Sequence, residues 1–520
     1  MMKWIVLDEV DGKIRLVSKS EKNNENGLIH NGAYLTIEKG RDKKFILRVD
    51  SSIQLSLYSP SPLIVDMELP PLIPDSGSKN LVYATRIMEI PDRKDGRSSF
   101  IEPQTIARLS TQDEIDLALG NMDGFPVFMA SAFGRNNQIL IDNDGKLVVA
   151  KVPVDVFFHQ ILITGRTGSG KTVAMKYMAQ YFTKTKLKDY ENQPGAVLAV
   201  NVKEEDLLKM DKPSSTNSDE ALMEWKTLGL TPEGVRSYRI YYPGHSIPNY
   251  SNKVDRKKCV KITLKTENLN PESLSGLIQN LSVQGSEHLP AIFRYWQKKK
   301  FKKGDTLGTF LTYFSSGSAN KTFSAMNINE EIYDITLHPG TFSNLQRSLA
   351  RNTQYFDVED AIELNPEEIL EPGKMSVIDV SNKEGITFGA VLLRDILEKI
   401  YDSKSNNGSK VPVLIIIDEV HEFYGDTRSK EALQTLDTIT RKGRSLGIGV
   451  VFSSQNPEDM PKGINTVVNT KIHFRSDSKN LAMKLTEVDV ESLKEGFAVT
   501  QIYGMSPLRF IKFPLSPGGV

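Results

Sequence analysis

Over the first 150 residues apolar and polar positions alternate in short runs, and Gly, Asn, Asp or Pro separate one run from the next. KWIVLDE, KIRLVSK, KKFILRVD, IQLSLYS and LIVDMEL, then QILIDNDGKLVVAKV around an Asn-Asp-Gly turn, each carry the period of two that a half-buried strand requires. Many short strands of this kind predict a small barrel or sandwich. One helical stretch, TQDEIDLALG, interrupts them, and its Thr111 and Glu114 stand at capping-box spacing.

Past residue 155 the alternation gives way to continuous apolar runs. FFHQILITG, AVLAVNV (196–202), KMSVIDVS (374–381), VPVLIIIDEV (411–420), GIGVVFSSQ (447–455) and NTKIHFR (469–475) read as strands buried on both faces of a parallel sheet. Helical stretches such as KTVAMKYMAQYF lie between them, which predicts a doubly wound α/β domain. Between 206 and 369 the helical period dominates in NPESLSGLIQNLS, LPAIFRYWQKKKFKK, TLGTFLTYFSS and TFSNLQRSLARN. YRIYYPG and VKITLKT add strands. The predicted organisation is an N-terminal β-barrel-like domain over 1–150, an α/β core over 151–205 and 370–505, and a mostly helical insertion over 206–369. A tail over 506–520 is placed to brace a neighbour.

Composition narrows the class. Of 520 residues, 39% are hydrophobic and 25% charged, as in ordinary globular proteins. Lys+Arg and Asp+Glu both number 65, so any nucleic-acid surface must be a local basic patch and not a general coat. The lone Cys259 excludes an internal disulfide and a Cys-based zinc site, and fits a cytoplasmic location. No apolar run reaches the length of a spanning helix, so no membrane partner is expected. Lys298, Lys299, Lys300, Lys302 and Lys303 form a basic run beside Phe293, Tyr295 and Trp296, which reads first as the solvated face of a helix.

The chemistry concentrates at three strand ends. Gly165-Arg166-Thr167-Gly168-Ser169-Gly170-Lys171-Thr172, followed by Val173, matches G-x-x-x-x-G-K-[ST] between a buried strand and a helix. Backbone N–H groups freed by the glycines, with the positive end of the helix, make a phosphate cradle for ATP. Lys171 is expected on the β- and γ-phosphates and Thr172 on Mg²⁺. Asp418 ends the most apolar strand and is expected to hold the same Mg²⁺. Glu419 next to it is placed as general base for water, which predicts hydrolysis. Gln455 ends the following strand and is expected beside the γ-phosphate. Arg441 and Arg444 precede that strand and are candidates for a finger offered to a neighbour's nucleotide. His421 is expected to buttress the acidic pair.

Taken in order, the P-loop, AVLAVNVKEEDLL, PGKMSVIDVS, LIIIDEVHEF and TRKGRSLGIGVVFSSQNPEDMP…VVNTKIHFR resemble the HerA branch of the HerA/FtsK superfamily. The resemblance spans about residues 155–515. It implies a RecA-like P-loop ATPase core and a homohexameric ring with ATP between subunits. Lys171, Thr172, Asp418, Glu419 and Gln455 would come from one subunit, and Arg441 or Arg444 from the next. It further implies double-stranded DNA through the ring, translocase or helicase activity, and a partner nuclease of the NurA kind or an antiviral defence effector. Three features differ from the better-studied archaeal members. Asn201 and Lys203 stand where an acidic residue ends the strand, His159 stands where an arginine precedes the P-loop strand, and 418 − 165 = 253 residues separate the two motifs. A ring-shaped, ATP-switched scaffold with little DNA movement is the alternative that these differences and the neutral net charge leave open.

Overall fold

A computed structural model describes residues 4–18, 29–40, 43–56, 78–91, 99–120, 123–133, 136–277, 283–316, 321–381, 385–406, 408–423, 439, 442–460, 468–477, 490–505 and 509–520. The expected strand LIVDMEL and the candidate Arg441 lie outside them. The chain divides into two compact units. One holds Met1–Pro153 with Lys479–Pro514, and the other holds Val154–Ser478 with Leu515–Val520.

In the first unit six antiparallel strands close a barrel in the order Trp4–Val10, Lys13–Ser18, Ser78–Ile90, Lys43–Ser56, Tyr34–Lys39 and Ile106–Leu109. The last strand pairs back onto the first, Trp4 against Ala107. Closure leaves no open edge. Inward positions two residues apart, among them Trp4, Val6, Ile14, Leu16, Leu35, Ile37, Phe45 and Leu47, form its core. The capping box is present at the start of the helix Gln112–Leu119, and Glu114 does more than cap. Its carboxylate also accepts from Arg108 and Lys44 and from the Thr36 hydroxyl. Burial pushes this carboxyl up, but these donors outweigh it and hold it at about 2.

The barrel is complete at Leu109, so the later strands do not belong to it. Phe125–Phe133, Asn136–Ile139 and Val149–Val152 instead form an antiparallel sheet with Phe510–Lys512 and Phe497–Gln501. Main-chain pairing such as Ile511 with Met129 draws residues 479–514 into this unit, away from the core in which 479–505 were expected.

Among the described residues the second unit is built on eight parallel strands in the order Cys259–Ile262, Ser237–Pro243, Lys374–Asp379, Ala196–Asn201, Val413–Ile417, Ile448–Ser454, Ile161–Thr164 and Thr470–His473. The strands Ile161–Thr164, Ala196–Asn201, Lys374–Asp379, Val413–Ile417 and Ile448–Ser454 are buried at every position, as continuous apolar runs require. One strand, Ile448–Ser454, separates the P-loop strand from the Asp418 strand, and this order is that of a RecA-like core. The two strands foreseen within 206–369 extend the same sheet. Helices Val283–Lys299, Leu307–Ser316 and Pro339–Asn352 pack beyond it around Phe293, Trp296, Phe310, Phe314 and Phe342. Phe293 and Trp296 are therefore core, while Lys298, Lys299 and Lys300 are exposed at the helix end, with Lys298 2.8 Å from Glu330.

Residues 515–520 fold onto the second unit. Trp225 Nε1 donates to the Leu515 carbonyl (2.7 Å) and Lys176 Nζ to the Gly519 carbonyl (2.7 Å), and Ser214 N donates to the Pro517 carbonyl (2.9 Å). Among the described residues no helix is long and apolar enough to cross a membrane.

Candidate active site

Parallel register brings the strand ends to one edge of the core sheet. Thr164 lies level with Ser454 on one side and His473 on the other, Ile417 with Phe452 and Val200, and Asn201 with Asp379. The P-loop, Asp418, Glu419 and Gln455 each follow directly from these ends, which is the edge where parallel sheets bind ligands.

The P-loop turns through three glycines at positive φ, Gly165 (151°), Gly168 (73°) and Gly170 (103°). A Cβ at Gly165 would stand 2.8 Å from both Phe474 Cβ and Ser169 Oγ, so only glycine fits there. Arg166 N donates to the Arg475 carbonyl (2.8 Å), and Thr164 Oγ1 and His473 Nδ1 lie 2.7 Å apart. The strand Thr470–His473 thus clasps the loop from one side. The helix Lys171–Lys184 follows, held to the core by buried Ala174, Met175, Met178 and Phe182. The Phe182 ring meets Phe157 edge-on at 5.4 Å. Burying that one ring stabilises the helix by roughly 2–3 kcal/mol.

Lys171 is buried, with Nζ donating to the Gly165 and Arg166 carbonyls. Burial lowers its pKa, against the charges of Glu419 and Asp418. Burial raises the pKa of the Asp418 carboxyl, as does the Glu419 charge. Glu419 adopts φ 44°, a left-handed conformation that costs a non-glycine residue about 1 kcal/mol and turns its side chain back over the edge. Its Oε1 accepts from Lys203 Nζ and from Gln455 Nε2 (3.4 Å). Its enclosed Oε2 accepts no hydrogen bond among the described residues, and His421 Nδ1 is 3.6 Å away.

Ser169 Oγ is likewise enclosed and unbonded within the glycine cradle. A cradle that admits no side chain, an orphaned hydroxyl and a buried amine bonded only to carbonyls together suit a phosphate group. Among the described residues no three His, Cys, Asp or Glu side chains are placed to hold a metal by themselves. An ion here would share phosphate and water oxygens with Thr172 and Asp418, the habit of Mg²⁺.

Sequence reasoning singled out Asn201 and Lys203 only as departures; the structure gives both a task. Asn201 Nδ2 donates to Asp379 Oδ1 (2.9 Å) and to the Glu204 carbonyl, and its Oδ1 accepts from Leu207 N (3.1 Å). Tyr250 OH donates to the other Asp379 oxygen at 2.7 Å. The loop that carries Lys203 is thereby pinned. Arg444 lies at the other edge of the sheet. It is exposed in the turn Gly443–Leu446 that enters the strand Ile448–Ser454, and its charge acts on His159, which precedes the P-loop strand. Seven residues of strand, roughly 20 Å, separate it from Gln455. Burial pushes the Cys259 thiol up to about 11, so it stays protonated and away from this chemistry.

No protein-family profile matches the chain. Among curated proteins it is 21% identical over 487 residues to the DNA double-strand break repair helicase HerA of Sulfurisphaera tokodaii, an alignment covering 90% of this chain and 84% of the relative. The chain is thus similar to HerA over most of its length. The HerA of Saccharolobus solfataricus is 28% identical over 159 residues, 27% of this chain and 32% of that protein. Among solved structures, VirB4 of Thermoanaerobacter pseudethanolicus overlays at a TM-score of 0.46 and 12% identity, covering 76% of this chain and 97% of that one. That superposition is too loose to bear on what the HerA-like chain does.

Proposed function

We propose that this ATPase is a motor on double-stranded DNA, a translocase or helicase that works as a homohexameric ring with a partner nuclease or defence effector. The observation that carries the reading is the HerA alignment over 90% of the chain, joined to the P-loop, Asp418, Glu419 and Gln455 gathered at one sheet edge.

In this reading the P-loop amides from Gly165 to Val173 and the helix N-terminus hold the phosphates, and Lys171 exchanges its carbonyl partners for β- and γ-oxygens. Thr172 and Asp418 would hold Mg²⁺, which supplies positive charge against the phosphate oxygens. Gln455 holds the attacking water and Glu419 takes its proton. The water oxygen bonds to the γ-phosphorus as the bond to the ADP oxygen breaks. Arg444 is exposed at the sheet edge opposite its own P-loop, so a phosphate it touches belongs to an adjacent subunit. Arg441 shares that proposal from sequence.

The test is the steady-state ATPase rate with and without linear duplex DNA at stated salt, with Glu419→Gln as control. Stimulation at low salt that fades as salt rises supports the motor, since phosphate contacts weaken steeply with ionic strength. A rate indifferent to DNA at every salt overturns it.

A further inference from the structure

We propose that Lys203 is a positioning residue that gates Glu419, pairing with its carboxylate before nucleotide binds and moving to the γ-phosphate afterwards. The proposal rests on the reading of Glu419 as the base.

The geometry is one of competition. Glu419 is almost wholly enclosed, with its side chain 3% exposed, whereas Lys203 is 39% exposed and free to swing on its long stem. Lys203 stands two residues beyond Asn201, the end of the strand adjacent to the Asp418 strand, so its ammonium emerges at the same edge as the P-loop. Its charge acts on both Lys171 and Asp418, which places it within the field of the phosphate site. The backbone beneath it is fixed by the bonds of Asn201 and by Glu204 at φ 40°. Glu419 itself and Glu204, the neighbour of Lys203, thus each hold a positive-φ backbone, and the ammonium is the part able to move.

Paired in this way, Lys203 fills a lone-pair direction of Glu419 Oε1 that an attacking water would need. A γ-phosphate carries more negative charge than one carboxylate and offers three acceptor oxygens. It therefore draws the ammonium away and frees Oε1 in the same movement. ADP lacks the γ-phosphate and leaves the pair closed. The site is then competent only when ATP is present.

The experiment is a double-mutant cycle on the full chain, read as dissociation constants for ADP and for a non-hydrolysable ATP analogue, both with Mg²⁺. Glu419→Gln removes the competitor for Lys203. It is expected to tighten analogue binding about five-fold or more and leave ADP within about two-fold, ~1 kcal/mol at 1.4 kcal/mol per decade. Lys203→Met is expected to weaken the analogue and not ADP, and to abolish the gain from Glu419→Gln. Lys203→Arg retains both and controls for folding. A gain from Glu419→Gln that persists without Lys203, or equal changes for ADP and analogue, overturns the gate. Turnover by Glu419→Gln judges the base assignment separately, because a lost rate with an uncoupled cycle removes the gate alone.

Discussion

Trp225 and Leu515 are 290 residues apart in sequence, yet the indole N–H of one donates to the carbonyl of the other at 2.7 Å. Lys176, on the P-loop helix, makes the matching bond to Gly519. Deleting residues 515–520 leaves a buried ammonium and an indole N–H without acceptors, and unpaired buried donors cost about 1–3 kcal/mol each. The urea midpoint is expected to fall by the equivalent of at least ~2 kcal/mol, and Trp225→Phe alone by about 1 kcal/mol. Unchanged midpoints in both would deny the segment any bracing role.

Glu114 makes the first unit acid-sensitive. Its carboxyl is held at about 2 in the fold against 4.5 when free. The stabilisation is complete above about pH 5 and is lost as pH falls through 4.5 toward 2. Discounted for solvent reaching Arg108 and Lys44, it is worth about 1–2 kcal/mol at pH 7. Glu114→Gln is expected to lower stability by that amount at pH 7 and to converge with the parent near pH 2. A constant difference across that range would show that packing, not charge, is involved.

Gly165→Ala places a methyl against Phe474 and Ser169 in a backbone conformation alanine resists. Nucleotide binding is expected to drop at least ten-fold, measured by titration, with the barrel unit unaffected. Lys171→Ala is expected to abolish binding or hydrolysis without the steric disturbance. Normal affinity in both would remove the loop from the phosphate site.

Glu419→Gln is expected to retain ATP and lose turnover by 10²-fold or more, the usual scale for a general base. A rate within a few-fold of the parent would assign the proton to another group.

Arg444→Ala is expected to slow hydrolysis and spare ATP affinity. Mixed with Lys171→Ala protein it should recover part of the rate, because each variant supplies what the other lacks. No recovery in mixed assemblies would leave the arginine without a role in a neighbour's site.

The core strands and the P-loop were legible because their signals are local. An apolar run that ends in Gly165 or Asp418 carries its own context, and Thr111 and Glu114 declare a cap at fixed spacing. The boundaries were not. The strand Val149–Val152 looks like any barrel strand, and only its pairing with Phe125–Phe133, in turn paired with Phe510–Lys512, takes it out of the barrel. FPLSPGGV has the composition of a free tail, and its burial depends on acceptors for Trp225 and Lys176 that no nearby residue announces. Lys203 was visible as an oddity, but its task requires the register that sets Ala196–Asn201 beside Val413–Ile417.

The strand order also governs how the molecule must be made. The P-loop strand Ile161–Thr164 takes both its neighbours, Ile448–Ser454 and Thr470–His473, from about 300 residues downstream. On the ribosome the phosphate cradle would emerge early and wait, flanked by bare strand edges, until residue 473 or so has cleared the exit tunnel. Parallel pairings this distant in sequence close slowly, and the unpaired edges meanwhile invite association with other chains. Nascent-chain arrest before residue 448 should therefore yield a chain that cannot retain nucleotide.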